Sequence, residues 1–169
     1  HEQAVEKSGK VPKELGQEIT QKVKDLGFFA PNLPTEFGGG GLNQLEFTLL
    51  ERELGRASMA LSVFFGRPSG ILVACDEEQR ERYLLPAIRG EKFDALAMTE
   101  PGAGSDVRGM SCTAKPDGDD WILNGTKHFI SHADIADFII VFVATGEEST
   151  PRGPKKKISC FLVDKGIPG

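Results

Sequence analysis

The stretch Thr99-Glu-Pro-Gly-Ala-Gly-Ser-Asp106 joins two glycines, Gly102 and Gly104, to a hydroxyl, Ser105. It follows an apolar run, Asp94 to Met98, that reads as a strand. Glycines at such an exit let the backbone curl until successive N–H groups face one point, and a nest of that kind binds an anion, commonly a phosphate. Further on, Lys127-His-Phe-Ile-Ser131 sets an aromatic ring, Phe129, two residues before a hydroxyl, Ser131. On a strand those two side chains share a face. A phosphate nest beside a ring and a hydroxyl suits a planar cofactor carrying a pyrophosphate, which points to a flavin dinucleotide.

Other nucleotide motifs do not fit. No Lys-Ser/Thr closes a G-x-x-x-x-G, and Gly102-x-Gly104-x-x-Val107 lacks a third glycine and a following amphipathic helix. Taken alone, Pro-Gly-Ala-Gly-Ser also reads as an ordinary surface turn. His128 and His132 stand four apart, as metal ligands on a helix do, but no third ligand is near them in the sequence. Satisfied or solvent-facing histidines are expected. The glycine run 38–41 reads as a flexible helix connection rather than a second phosphate loop.

The elements that must position these residues fall into two blocks. In the first, Leu15, Ile19, Val23 and Leu26 repeat at helical spacing after Pro12 until Gly27. Asn43 with Glu46, and Asp76 with Gln79, form helix-starting pairs, the second helix of these running to about Arg89. Ser58 opens an apolar helix that Gly66-Arg-Pro68 must break. In the second block the runs are short and β-branched or aromatic: 94–98, 121–123, 128–131, 138–144 and 158–163. Asn124-Gly125 is the strongest hairpin signal and Asp117-Gly118 marks another turn. Residues 146–157, with Pro151, Pro154 and three lysines, read as a solvated loop. Helices followed by strands predict an α+β chain, with a helical domain over residues 1–92 and a β-domain over 93–169.

Composition narrows the partners. A net charge of −5 provides no basic field for nucleic acid, and no apolar run is long enough to span a membrane. Cys75, Cys112 and Cys160 lie in apolar surroundings without a C-x-x-C, and buried thiols in a reducing compartment are expected. The first residues contain no methionine and no signal-peptide core, and the last follow directly on a strand, so both ends read as cuts through a longer protein.

Ala97-Met-Thr-Glu-Pro-Gly-Ala-Gly-Ser-Asp106 resembles the first signature of the acyl-CoA dehydrogenase family. Pro34-x-Glu-Phe-Gly-Gly, Glu78-Gln-Arg-Glu-Arg-Tyr-Leu-Leu-Pro86, Asn124-Gly-x-Lys127 and Lys157-Ile-Ser-Cys-Phe-Leu-Val163 are similar to further family segments in the same order. The resemblance implies an N-terminal helical domain, part of an antiparallel middle β-barrel or sandwich, and a C-terminal helical bundle absent from this chain. It implies FAD as cofactor and α,β-dehydrogenation of an acyl-CoA, with a base on the bundle, so no catalytic residue is assigned here. Carried over by position, Met98 and Thr99 would meet the flavin ring. Gly104 and Ser105 would meet the pyrophosphate, Ser105 also touching the acyl-CoA. Phe129 would pack on the ring and Ser131 would bond near N5. Glu100, beside the loop, takes a structural place in the signature rather than the base's. The family also implies an electron-transfer flavoprotein as acceptor, a homotetramer or homodimer, and a bacterial cytoplasm or mitochondrial matrix. A flavin oxidase or monooxygenase on the same fold, or an inactive fragment or binding module, stays open.

Overall fold

The structure, a computed structural model, describes residues 2–151 and 153–168, so His1, Arg152 and Gly169, including both chain ends, lie outside the described residues. The chain divides into two compact units, residues 1–92 and 93–169.

The first unit is helical. A short helix the sequence reading does not single out, α1 (Glu2–Ser8), precedes α2 (Lys13–Asp25). Along α2, Leu15 and Ile19 are half-buried and Val23 is buried, but Leu26 is exposed because the helix has already ended at Asp25. Pro12 occupies the cap position just outside the first turn. Helix α3 (Gln44–Leu54) starts on a complete capping box: the Asn43 side-chain Oδ1 accepts from the Leu45 and Glu46 N–H groups, while the Glu46 carboxylate accepts from the Asn43 N–H at 2.9 Å. The apolar run after Ser58 yields only α4 (Met59–Ser62) and a 3₁₀ turn, Val63–Phe65, before the chain breaks at Gly66 as expected. The second predicted cap, Asp76 with Gln79, opens α5 (Glu77–Gln79), which continues through a π turn (Arg80–Leu84) into α6 (Leu85–Ile88). Pro86 has no N–H for the Arg82 carbonyl. The Lys92 ammonium donates to that oxygen instead, at 3.0 Å.

The loop between α2 and α3 is not a flexible connection. Gly39, Gly40, Gly41 and Leu42 donate in turn to the carbonyls of Pro34, Ala30, Leu33 and Pro31, folding the segment onto itself. A Cβ on Gly39 would run into the Leu33 carbonyl, and one on Gly40 would lie 2.8 Å from the Pro31 Cα. The glycines are there for close backbone packing. Replacing Gly39 with alanine should therefore lower folding stability by about 1–3 kcal/mol, the usual cost of overpacking, read as a shifted denaturant midpoint at unchanged m-value.

The second unit is a sheet. Strand β1 (Asp94–Ala97) pairs in parallel with β4 (Phe138–Thr150), from Asp94 opposite Phe138 to Ala97 opposite Val141. Strand β2 (Thr113–Asp117) meets β4 in parallel at Thr113 and Ala144, and pairs antiparallel with β3 (Asp120–Asn124). Strand β5 (Gly153–Asp164) runs antiparallel to β4 along its length. The helices-then-strands order holds, but the sheet is mixed rather than antiparallel: the long connection from β1 to β4 permits a parallel crossover. Cys112, Ala114 and Val143 form a core cluster packed by Leu123, Val141 and Phe161.

Three local expectations are corrected. The expected turn at Asp117-Gly118 joins β2 to β3, but Asn124-Gly125 makes no hairpin; Gly125 instead lies where a Cβ would collide with Cys112. Apart from position 152, which is not described, most of residues 146–157 lie in the ladder, where Glu147 falls opposite Lys156 and Glu148 opposite Lys155, so the register places unlike charges across from each other. Cys160 is exposed, unlike buried Cys75 and Cys112, because alternate residues of a strand face opposite sides and apolar neighbours in sequence do not bury it.

Candidate functional site

Strand β1 delivers the chain to Met98 and Thr99, both half-buried, and then to Glu100, which is 4% exposed. Glu100 and Ala103 exchange backbone hydrogen bonds, N–H to O at 2.9 and 3.2 Å, folding Pro101-Gly102 into a tight turn. The Glu100 carboxylate is saturated. One oxygen accepts from the Lys127 ammonium at 2.8 Å and the Cys112 N–H at 3.0 Å. The other accepts from the Ser111 N–H and, at 2.7 Å, from the Ser111 hydroxyl. Burial alone would raise its pKa, but the Lys127, Cys112 and Ser111 donors outweigh that and hold it well below the usual carboxylate range. The Cys112 thiol is pushed up by burial and by the adjacent carboxylate, so it stays neutral and donates to the Thr126 carbonyl at 3.6 Å.

Lys127 joins the two motifs. Its ammonium also donates to the Met98 carbonyl at 3.0 Å, and the next residue, His128, donates its N–H to the Thr99 carbonyl at 2.8 Å. The segment carrying Phe129 and Ser131 is thereby stitched alongside the segment carrying Thr99 and the glycine loop, as the pairing of motifs in the sequence suggests. Glu100 is structural, as its place in the signature implies.

The details differ from expectation in two places. Residues 128–131 are not a strand. Phe129 has φ 58° and His132 φ 64°, left-handed backbone that no strand contains, so Phe129 and Ser131 do not share a strand face. Phe129 is 81% exposed and stacks on His128, ring centroids 3.8 Å apart, while His132 meets the Phe93 ring edge-on. Nor do Gly102 and Gly104 adopt left-handed backbone to make a nest; a Cβ on either would meet nothing in the chain. With Ser105 exposed beside them, the loop offers open main chain to an outside group.

A groove of about 610 Å³ opens beyond this loop, lined by Val107, Arg108, Glu148, Ile158 and Lys155 to Lys157. The lysines, read from sequence as solvent-facing, crowd one wall, and the Lys156 ammonium reaches the Met110 carbonyl. No role at the site is given in the sequence reading to Lys127, Ser111, Cys112 or Arg108, although Lys127 stands in two of its motifs and Cys112 among its expected buried thiols. The signal that could have found the first is a lone carboxylate at the end of an apolar strand, which requires a buried partner.

The helical unit and the mixed sheet define an α+β protein, and comparison with known proteins supplies its family. Residues 1–91 match the N-terminal domain of acyl-CoA dehydrogenases, and residues 95–169 match the middle domain. The chain is 40% identical over 165 residues to the 3-(aryl)acrylate reductase of Clostridium sporogenes, an alignment covering 95% of this chain and 42% of the relative. It is also 40% identical to subunit CarC of the caffeyl-CoA reductase–Etf complex of Acetobacterium woodii, covering 95% of this chain and 41% of that one. A glutaryl-CoA dehydrogenase from Mycobacterium smegmatis, solved in complex with FADH2, superposes with a TM-score of 0.76 at 30% identity, over 96% of this chain and 40% of its own. The chain belongs to the acyl-CoA dehydrogenase family. It spans about two fifths of the length of these curated relatives. No helix among the described residues is long and apolar enough to cross a membrane.

Proposed function

We propose that the protein containing this chain is an FAD-dependent enzyme that removes the α-proton and β-hydride of an acyl-CoA thioester, with residues 1–92 as its N-terminal helical domain and 93–169 as its flavin-binding portion. The observation that carries this reading is the clamped loop: open main chain at Gly102 and Gly104, held rigidly beside an exposed ring and two hydroxyls. These groups fit FAD. The Gly104 and Ser105 N–H groups suit its pyrophosphate, Met98 and Thr99 the ring edge, Phe129 the ring face and Ser131 a polar ring atom. Left-handed backbone at a bulky residue costs roughly 1–2 kcal/mol, and strain kept at an exposed ring is expected of a ligand contact.

When bound, FAD supplies the acceptor for the β-hydride. The protein's own residues orient and exclude water. Glu100 is no base in this scheme, since a carboxylate already accepting four hydrogen bonds has little affinity for a further proton. Ser105 at the loop edge and the cationic groove of Arg108 and Lys155 to Lys157 suit the thioester's CoA phosphates. An electron-transfer flavoprotein as redox partner is supported by the Etf named with the Acetobacterium relative. The family resemblance supports a homotetramer or homodimer, in a bacterial cytoplasm or mitochondrial matrix. A second reading is favoured by the names of the two relatives at 40% identity, one a 3-(aryl)acrylate reductase and the other a subunit of a caffeyl-CoA reductase complex: the same two hydrogens added to an aryl-substituted acrylate or its CoA thioester.

Purified full-length protein should carry a flavin that acid releases as FAD. Acyl-CoA should bleach it without oxygen, and the enoyl-CoA should restore it from the reduced state. Release of FMN, or no flavin uptake on reconstitution, overturns the cofactor; bound FAD that neither thioester affects overturns the substrate.

A further inference from the structure

The Glu100 and Lys127 side chains are only 1% and 10% exposed, and their atoms hold the segments of the proposed cofactor site together. The carboxylate pins the far end of the loop through Ser111 and Cys112, closing residues 101–110 into a ring. The ammonium ties that ring to Met98 and brings residues 127–131 against it.

We infer that the Glu100–Lys127 pair is a positioning and charge-setting device for the flavin, an inference that rests on the FAD reading above. It fixes the separation between the group that meets the pyrophosphate and the groups that meet the ring. It also keeps one cation and one anion in balance directly behind Met98 and Thr99. Flavin reduction adds negative charge to the ring system, so an uncompensated charge here acts on the reduced form more than on the oxidised one. In a buried site of low dielectric that effect is little screened.

The test is the midpoint potential of bound FAD, measured by spectroelectrochemistry in full-length holoprotein. Lys127→Met leaves a carboxylate still held by Ser111 and Cys112, and the potential should fall. Glu100→Gln leaves the ammonium, and the potential should rise. The double variant Glu100→Gln/Lys127→Met should return toward wild type. The FAD dissociation constant, taken where each apoprotein is fully folded, should rise tenfold or more in both single variants and stay within a few-fold in Lys127→Arg, which keeps the cation. A purely structural pair lowers thermal stability and leaves both the potential and the folded-state affinity alone. Shifts of the same sign in the two single variants, or no shift, overturn the inference. If a single variant does not fold, Lys127→Arg and the double variant decide it: affinity must fall in the double variant and hold in the arginine one. Wild-type protein without FAD overturns the cofactor reading instead.

Discussion

Replacing Gly104 with valine should leave folding stability within about 0.5 kcal/mol of wild type and weaken FAD binding about 100-fold. The first half follows from space: a Cβ at Gly104 meets nothing in the chain, and its backbone lies outside the left-handed region that only glycine adopts readily. The second half follows from what the loop presents. Main-chain N–H groups can reach a phosphate only if no side chain stands between them. A branched chain there removes at least one charge-assisted bond, worth about 1.5–3 kcal/mol, and adds a steric clash. Denaturant unfolding of the apoprotein and flavin fluorescence titration separate the two effects. An unchanged dissociation constant would remove the loop from the cofactor site; a large loss of stability would mean that the chain itself needs the glycine, as it does at Gly39.

The second large effect is on stability. Glu100→Ala should cost about 3–5 kcal/mol at pH 7, because it leaves the Lys127 ammonium and the Ser111 and Cys112 N–H groups buried without their acceptor. The wild-type contribution is pH-dependent. The folded carboxyl titrates well below its unfolded value of about 4.3, so the folded state binds this proton less readily than the unfolded one. Its stabilisation is complete above the unfolded pKa and drains away as pH falls through and below it. Urea unfolding between pH 7 and pH 3 should show the gap between wild type and Glu100→Ala narrowing steadily below about pH 4.5. A gap that stays constant would mean that the carboxylate is not charged in the folded protein.

Features that depend on a few neighbouring residues were legible in the sequence. The Asn43–Glu46 and Asp76–Gln79 boxes, the break at Gly66 and the order of helices before strands all follow from local chemistry. The meeting of the two motifs was legible too, since each supplies what the other lacks. What holds them together was not. Glu100 and Lys127 are 27 residues apart, and no periodicity links them. The strand expected at 128–131 failed because aromatic and β-branched content says nothing of the φ at Phe129. The expected loop at 146–157 failed for a related reason. Proline and lysine discourage strands on average, but the glutamates facing Lys155 and Lys156 are visible only once the register is known.

The carboxylate clasp also sets which parts of the sequence are free to change length. Residues 101–110 form a ring of fixed circumference, in which one added residue would pull Ser111 off Glu100. Strands β2 and β3 leave from Cys112 and return near Lys127, and both exit points are tied down. The tip at Gly118 and Asp119 is thus tethered to the site without belonging to it. A peptide tag, a fluorophore or a whole inserted domain belongs there, where added mass moves the end of a ribbon and leaves the clasp undisturbed.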